Sequence, residues 1–506
     1  MKDIWQEATG VDDFQSTTNE EIDPTQKFYF GRMFKDLGAY EHDFEDLIEL
    51  GFSMNGTSEA SELPAGYVFL AQFIDHDISL DTRGHQFPEA IGINPLTIEN
   101  GRAPFLNLDS LYGNGPQDAE DQRLYKEGSC FLKIGPTEAV TISGIHRKFY
   151  NDLPRIPDQT KAYLSDSRND ENLGTAQTHV AFIKFHNAVV QLLGRGDGAP
   201  EVFEEARKIV TRHYQWIILN DFLPRIIQCG VLTDVLEKKV DLFYEPNRER
   251  PFMPVEFSVA AYRLGHSMVP RFYEWNRIFN SNFSAQNTIS ELFFNTGNGE
   301  LDKTESKTLS GRWIIDWRRF YDFTELGFPR PKSTFALKID NLLPFEFKKL
   351  SLSNPVPAGE EYKLSLAVRN LYRGRSIGLP AGQEVAKLLK VEPVRAAKIE
   401  ARLPLNLKKK YAEKTPLWYY ILTEAAEIEE GERLGPVGSR IIAEVFVKLI
   451  ECSPNSILGE EFKEKKWQSE LIPAARRDKF EMADILNFIC SQSRFGAAEL
   501  NPIGDG

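Results

Sequence analysis

Cysteine is scarce: four residues in a chain of 506, at Cys130, Cys229, Cys452 and Cys490. They are scattered, without the paired spacing of a metal knuckle or a disulfide framework. Free thiols are therefore expected, which suits a reducing, cytoplasmic setting. No stretch approaches the roughly 18 consecutive apolar residues of a membrane-spanning helix. Residues 1–27 are polar and acidic, lack the apolar core of a secretory leader, and are expected to form a flexible N-terminal arm. Positive charge is also short. The 60 Lys and Arg against 74 Asp and Glu leave a formal net charge of -14, and no basic run occurs. Nucleic acid and anionic membrane surfaces are therefore not expected partners. Strict apolar–polar alternation is rare, with one short strand expected near 129–134. No feature bears on oligomeric state.

Helical spacing, by contrast, recurs throughout. Apolar residues three and four apart mark 179–193, 202–227, 258–268, 381–389 and 436–450. Pro, Gly and polar residues mark loops at 84–102, 151–159, 280–304 and 327–333. Hydrophobic content of 42% supports a large core. No repeat, low-complexity tract or linker divides 28–506, so that span is expected to be a single large, mainly α-helical domain with few short strands.

Four clusters carry chemistry. The first is Gln72-Phe73-Ile74-Asp75-His76-Asp77, one histidine between two carboxylates in an otherwise apolar helix, with Gln72 one turn before His76. Buried charges of this kind need partners. The second runs Ser165-Asp166-Ser167-Arg168-Asn169-Asp170-Glu171-Asn172 ahead of a long helix. By itself it reads as a capping region with acidic residues at a helix start. The third is Tyr262-Arg263-Leu264-Gly265-His266, where Gly265 removes bulk that would hinder a flat ligand and Arg263 offers a planar cation to a carboxylate. The fourth, Arg369-Asn370-Leu371-Tyr372-Arg373-Gly374-Arg375, reads alone as a basic surface segment.

In this order the clusters resemble the animal-type haem peroxidase family of the peroxidase–cyclooxygenase superfamily. The segment Pro104-Phe105-Leu106-Asn107-Leu108-Asp109-Ser110-Leu111-Tyr112-Gly113 is similar to the family's calcium loop. Phe30-Gly31-Arg32-Met33-Phe34 and Leu434-Gly435-Pro436-Val437-Gly438 resemble a bacterial branch. The likeness covers about 28–490.

The resemblance implies haem b as cofactor, hydrogen peroxide as oxidant, a small aromatic donor or a halide as reductant, and a role in the response to oxidative stress. His76 would be the distal acid–base residue. Arg168 would stabilise charge on the departing oxygen, and Gln72 would order pocket water or halide. His266 would be the proximal iron ligand and Asn370 its hydrogen-bond partner. Arg263 and Arg373 would meet the haem propionates. Asp75 and Glu171 match the carboxylates that form haem esters in mammalian members. Asn172 stands where one of those members has a methionine joined to haem, so a sulfonium bond is excluded. Asp77, the Phe105 carbonyl, Asn107 and Asp109 would hold calcium, a hard cation that takes oxygen donors. Ala103 stands where the family has a threonine ligand, and Asn107 where an aspartate is usual. Ser376-Ile377 replaces the Asp-His pair that often follows the last arginine.

Three other functions are weighed. A fatty-acid dioxygenase of the same superfamily would place a radical-forming tyrosine three residues before the proximal histidine. Arg263 stands there, with Tyr262 about 100° away around a helix. A metal-dependent hydrolase built on His76 and Asp77 would need further ligands, and His42, His85, His146 and His213 form no such pattern. A haem-binding protein without catalysis would not need His76, Arg168 and Gln72 together.

Overall fold

The structure, a computed structural model, describes residues 27–505 apart from 85–86, 88–89, 143, 195–197, 283–284, 302–304 and 351–355. Of the expected N-terminal arm only Lys27 falls within the described residues; it pairs with Glu99 at 2.7 Å. His85 lies outside them.

The expected mainly α-helical body is present. The helices of ten or more described residues are α1 (Phe44–Ser53), α2 (Gly66–Ile78), α3 (Leu173–Leu193), α4 (Pro200–Ile217), α5 (Leu366–Ile377), α6 (Leu417–Ile428), α7 (Pro436–Cys452) and α8 (Met482–Gln492). Their ends follow local chemistry. The Asn172 side chain accepts from the Thr175 amide at 2.9 Å to cap α3, which stops at Gly194 with φ +58°. Both α4 and α7 open on a proline, where its missing N–H costs nothing. Glu481 and Asp484 form a reciprocal capping box on α8.

Three expectations are refined. The helix expected over 202–227 is a rod in which α4 passes through a π turn, Ile218–Phe222, into a last α turn, Leu223–Ile226. Pro224 cannot donate to the turn behind it, and the wider π turn takes up the mismatch. The helix expected over 258–268 is broken into Val255–Ser258 and a 3-10 turn, Ala261–His266. The Ser258 carbonyl, which an unbroken α-helix would bond to the Tyr262 amide, accepts instead from Arg263 Nε at 2.8 Å. The strand expected near 129–134 is only an isolated bridge, Tyr125 to Leu132. The side chain of Asn187 bonds both the amide and the carbonyl of Leu132, at 2.8 and 3.0 Å, in place of a strand partner.

Among the described residues seven short strands form three small sheets: β1 (Phe28–Gly31), β2 (Ala60–Pro64), β3 (Glu99–Asn100), β4 (Val140–Ile142), β5 (Ile145–Arg147), β6 (Met253–Pro254) and β7 (Phe335–Leu337). Strand β1 lies between β3, antiparallel with Phe28 opposite Asn100, and β6, parallel with Phe30 opposite Met253. Strands β2 and β7 pair antiparallel with a shift in register, and β4 and β5 form a hairpin.

Helix α3 is the centre of the body: α2, α4 and α8 all pack on it. Glycine permits the closest of these approaches. A Cβ on Gly174 would stand 2.4 Å from the Phe69 ring of α2. The start of α2 is pinned by Asp221 in the π turn, which accepts from the Tyr67 hydroxyl at 2.7 Å and from the Met482 amide at 2.8 Å. Most buried apolar residues of these elements join in one continuous core, with Ala176 and Val180 of α3 in a smaller cluster beside Leu153 and Leu164. Among the described residues no helix is long and apolar enough to cross a membrane.

Candidate active site

Helix α2 is buried on nearly every side, so its polar residues must be satisfied internally. Gln72 and His76, one turn apart, are 4% and 3% exposed. The Gln72 Oε1 accepts from Asn172 Nδ2 at 2.7 Å and from the Thr175 hydroxyl at 2.9 Å. Its Nε2 is buried and has no partner among the described residues. Asp75 is half-buried and accepts from the Ser79 hydroxyl at 2.9 Å.

A 3-10 turn, Ser167–Asp170, faces α2 and precedes α3. Its Arg168 is fully buried and donates to the His76 carbonyl at 3.1 Å and to Asp166 at 2.7 and 3.0 Å. Asp166 also receives Arg102, at 2.8 Å. Burial pushes the Asp166 carboxyl up, but the two guanidinium groups outweigh it and hold it well below the usual range. His76 Nδ1 lies 2.9 Å from Asn169 Oδ1. Burial, then the charge of Arg168, lower the His76 imidazole to about 3, which leaves it neutral. Asp75 and Glu171 both lie within electrostatic reach of Arg168.

The turn carrying His266 packs against α2, and the Tyr262 hydroxyl donates to the Ala71 carbonyl across the contact at 3.2 Å. His266 is 2% exposed and touches the Asn370 amide of α5 at 2.5 Å. As oriented, the amide nitrogen faces His266 Nδ1. A metal-bound Nε2 needs Nδ1 to donate, which the same contact supplies with the amide turned over. A Cβ added to Gly265 would meet open space. A separate cleft, reached from the same turn through Arg263, is lined by Ser79, Asp81, Arg263 and Arg373 among others; Gly265 and His266 do not line it. Arg373 is held there by Asp81 at 2.7 Å. Open space at Gly265, next to a buried histidine, and two arginines lining a cleft on the same side of the turn suit a flat group bearing carboxylates.

Asp77 points the other way, into the loop before Tyr112. Its carboxylate accepts from the Leu108 and Ser110 amides at 3.1 and 3.3 Å. Asp109 interacts with it directly. Burial raises both carboxyls, Asp109 well above its usual range. Asn107 Oδ1, Asp109 Oδ1 and Ser110 Oγ are buried without partners among the described residues. Leu106 and Leu108 take left-handed backbone angles, φ +51° and +62°, which leucine adopts only when its surroundings impose them. Two facing carboxylates, orphaned oxygens and a strained loop fit a hard cation.

The sequence profile described as animal haem peroxidase matches residues 81–453. The chain belongs to this family. The match contains Arg168, His266 and Asn370, while Gln72 to Asp77 lie just ahead of it. Among relatives, a peroxidase-like protein of Margaritifera margaritifera is 27% identical over 311 residues, 56% of this chain and 35% of that protein. Chorion peroxidase of Aedes aegypti is 28% identical over 181 residues, 34% of this chain and 22% of its own. Thyroid peroxidase of Homo sapiens is 26% identical over 209 residues, 37% and 21%. The chain thus spans about a third or less of these relatives. Peroxidase A from Dictyostelium discoideum shares the fold over 96% of this chain and 98% of its own, with TM-score 0.62 and 17% identity. The fatty acid alpha-dioxygenase of Oryza sativa does so over 97% and 84%, with TM-score 0.59 and 14% identity.

Every animal haem peroxidase site residue named from sequence is in one of these two places, around His76 and His266 or in the Asp77 loop. Reasoning from sequence passed over Arg102, Asp166, Asn169, His179 and Asp81. Asp166 carried one signal, its place two residues before Arg168. A histidine six residues into a buried helix, like His179, carried none.

Proposed function

We propose that the chain is a haem peroxidase that reduces hydrogen peroxide and oxidises small aromatic donors or halides. The observation that carries this reading is a neutral buried imidazole, His76, beside a buried guanidinium, Arg168, on the helix that packs against the His266 turn. His266 would bind the haem iron with Asn370 fixing its ring, and Arg263 and Arg373 would take the propionates. Haem, when bound, supplies the iron and the electrons with which the peroxide O–O bond breaks. His76 takes a proton from one peroxide oxygen and returns it to the other, which departs as water. Arg168 stabilises negative charge on that departing oxygen. Gln72 turns its unpartnered Nε2 to water or halide in the same pocket.

Calcium is proposed at Asp77, Asn107, Asp109 and the Phe105 carbonyl, where it would tie the Asp77 end of α2 to the loop. Haem esters through Asp75 and Glu171 are proposed as products of peroxide turnover. None of the four cysteines forms a disulfide among the described residues, which suits a reducing compartment. Against the dioxygenase, the position three before His266 holds Arg263, whose guanidinium bonds Ser258, and the Tyr262 hydroxyl is engaged by Ala71. Against the hydrolase, no group of three His, Cys, Asp or Glu gathers among the described residues.

The test is a visible spectrum of the purified protein before and after stoichiometric hydrogen peroxide. A Soret band that shifts with peroxide and returns on adding an aromatic donor is expected. His76→Ala should slow the shift by about a hundred- to ten-thousand-fold. A protein without a Soret band, or one whose spectrum ignores peroxide, overturns the reading.

A further inference from the structure

The turn that delivers Arg168 also delivers Asn169, and nothing in the mechanism above uses it. Asn169 is fully buried, and its amide bridges two histidines. The oxygen lies 2.9 Å from His76 Nδ1, and the nitrogen 3.1 Å from Nδ1 of His179, one and a half turns into α3. We propose that Asn169 and His179 are positioning residues for His76, a relay that fixes its tautomer and ring plane so that Nε2 is the proton-accepting atom. The proposal rests on the peroxidase reading and gives that reading two further residues.

The chemistry is that of a polar group with two unlike ends. An amide oxygen can only accept, so the imidazole nitrogen facing it must carry the proton. His76 Nδ1 is then a donor and Nε2 carries the lone pair that proton transfer requires. The bond also serves the charged state. When Nε2 takes a proton the ring becomes a cation, and the Nδ1–H bond to the amide oxygen becomes charge-assisted and stronger. Without a second partner the amide could present its NH2 end to His76, which would move the imidazole proton to Nε2 and block it. His179 supplies that second partner. Its Nδ1 accepts from the amide nitrogen, which pins the oxygen on His76. Burial lowers the His179 imidazole to about 3, so it stays neutral, and in the tautomer protonated at Nε2 its Nδ1 lone pair faces the amide nitrogen. His179 is itself wedged edge-on against Phe73 of α2, ring centroids 5.9 Å apart, three residues before His76. Phe73 is in turn stacked on Phe182, so both ends of the relay are fixed to the same α2–α3 contact.

Asn169→Leu removes the acceptor at nearly constant shape. Asn169→Asp keeps an acceptor oxygen for His76, and His179 can turn its own proton toward the second oxygen. His179→Phe removes the outer member without touching the pocket. Two rates are read on the haem-loaded protein: the reaction with hydrogen peroxide, and the association of cyanide with the ferric form. Cyanide binds as the anion after hydrogen cyanide gives up its proton, so it reports the same proton acceptance without turnover. Loss of an outer partner of this kind typically costs about ten- to a hundredfold. Asn169→Leu should slow both rates by about that factor, with unchanged haem content, Soret position and rate of donor oxidation. His179→Phe should slow both by a smaller factor, and Asn169→Asp should recover most of the loss. Wild-type rates in a haem-replete Asn169→Leu overturn the relay, as does an Asn169→Asp protein as slow as Asn169→Leu. Should Asn169→Leu fail to fold, an Asn169→Asp or His179→Phe protein decides by the same comparison: His179→Phe at wild-type rates overturns the relay. A wild-type protein that carries haem and ignores peroxide overturns the peroxidase reading and the relay's task with it. A fast wild type with insensitive variants overturns the relay alone.

Discussion

Removing the proposed calcium should lower the melting temperature by a few degrees, and the structure says why. Asp77 and Asp109 are 0% and 3% exposed. Among the described residues their backbone donors are long: 3.1 and 3.3 Å to Asp77, and 3.4 Å from the Ala103 amide to Asp109. The amides therefore offset only part of the cost of two facing carboxylates. Arg102 acts on both electrostatically but is committed to Asp166. Taking one partner from a buried charge pair costs about 3–5 kcal/mol. At an unfolding entropy of about 2.1 cal/mol/K per residue, a chain this long loses about 1 °C for each kcal/mol. Chelation should thus lower the transition by about 3–5 °C. Calorimetry with and without excess chelator reads the shift, and elemental analysis of the same samples reads the metal. Asp109→Asn removes one of the two charges and leaves only a neutral oxygen there, so calcium binding should weaken and the chelator shift should shrink. A wild-type protein without calcium whose transition ignores chelator refutes the argument, and a shift retained in full in Asp109→Asn refutes the assignment of Asp109.

Three further outcomes are expected. His266→Ala should yield protein depleted of haem, with no normal Soret band in the remainder; full haem and an unchanged spectrum would contradict the proximal assignment. After several peroxide turnovers, denaturing mass spectrometry should find haem on the chain, less of it in Asp75→Asn or Glu171→Gln; complete release into acidified organic solvent would mean that these carboxylates only position the haem. Burial pushes the Glu424 carboxyl up to about 8, so the folded state holds a proton that the unfolded state has released. Stability should fall as pH rises from about 4.5 toward 8, by a few kcal/mol, then level off; Glu424→Gln should flatten that slope in urea titrations, and an identical slope would refute the assignment.

The helices were legible where the sequence carries both periodicity and a terminal signal. Residues 436–450 and 179–193 have both, and α7 and α3 extend those spans by two residues at one end and six at the other. The segment 258–268 has the periodicity but breaks, because a side chain, Arg263, takes a carbonyl that the pattern assigns to the backbone. The expected strand at 129–134 failed for the same reason, with Asn187 as the competitor. The charged residues and histidines of the candidate site stood out in the sequence because their chemistry is scarce and their order specific. The residues that hold them did not. Asn169 and Asp166 read as ordinary cap and turn residues, and Asp166 is indeed the cap, accepting from the Arg168 amide at 3.0 Å. Asn172 read as an absence, the lack of a methionine, yet it caps α3 and holds the Gln72 carbonyl oxygen.

Those unread residues share one electrostatic logic. Arg102 and Arg168 meet a single carboxylate, Asp166, so the buried triad carries one excess positive charge. A buried triad of this kind is weak support for stability, since the cost of desolvating three charges offsets their attraction. Its value lies in where the excess falls. Burial first, and then Arg168, which lies against the carbonyl of His76, lower the imidazole of that residue and keep the base unprotonated. The same guanidinium is aimed at the pocket in which, on the peroxidase reading, negative charge develops on a departing oxygen. One charge thus does two jobs only if it cannot move, and Asp166 holds it with bonds to both Nε and Nη2. The Asp166 anchor is in turn tied to the Asp77 loop, because Arg102 also donates to the Ser165 carbonyl at 2.9 Å and the Ser165 hydroxyl to that of Asp109 at 2.9 Å. Disturbance of the loop therefore reaches Arg168 through Ser165, Arg102 and Asp166, and the loss of the proposed calcium should slow the peroxide step as well as lower the melting temperature.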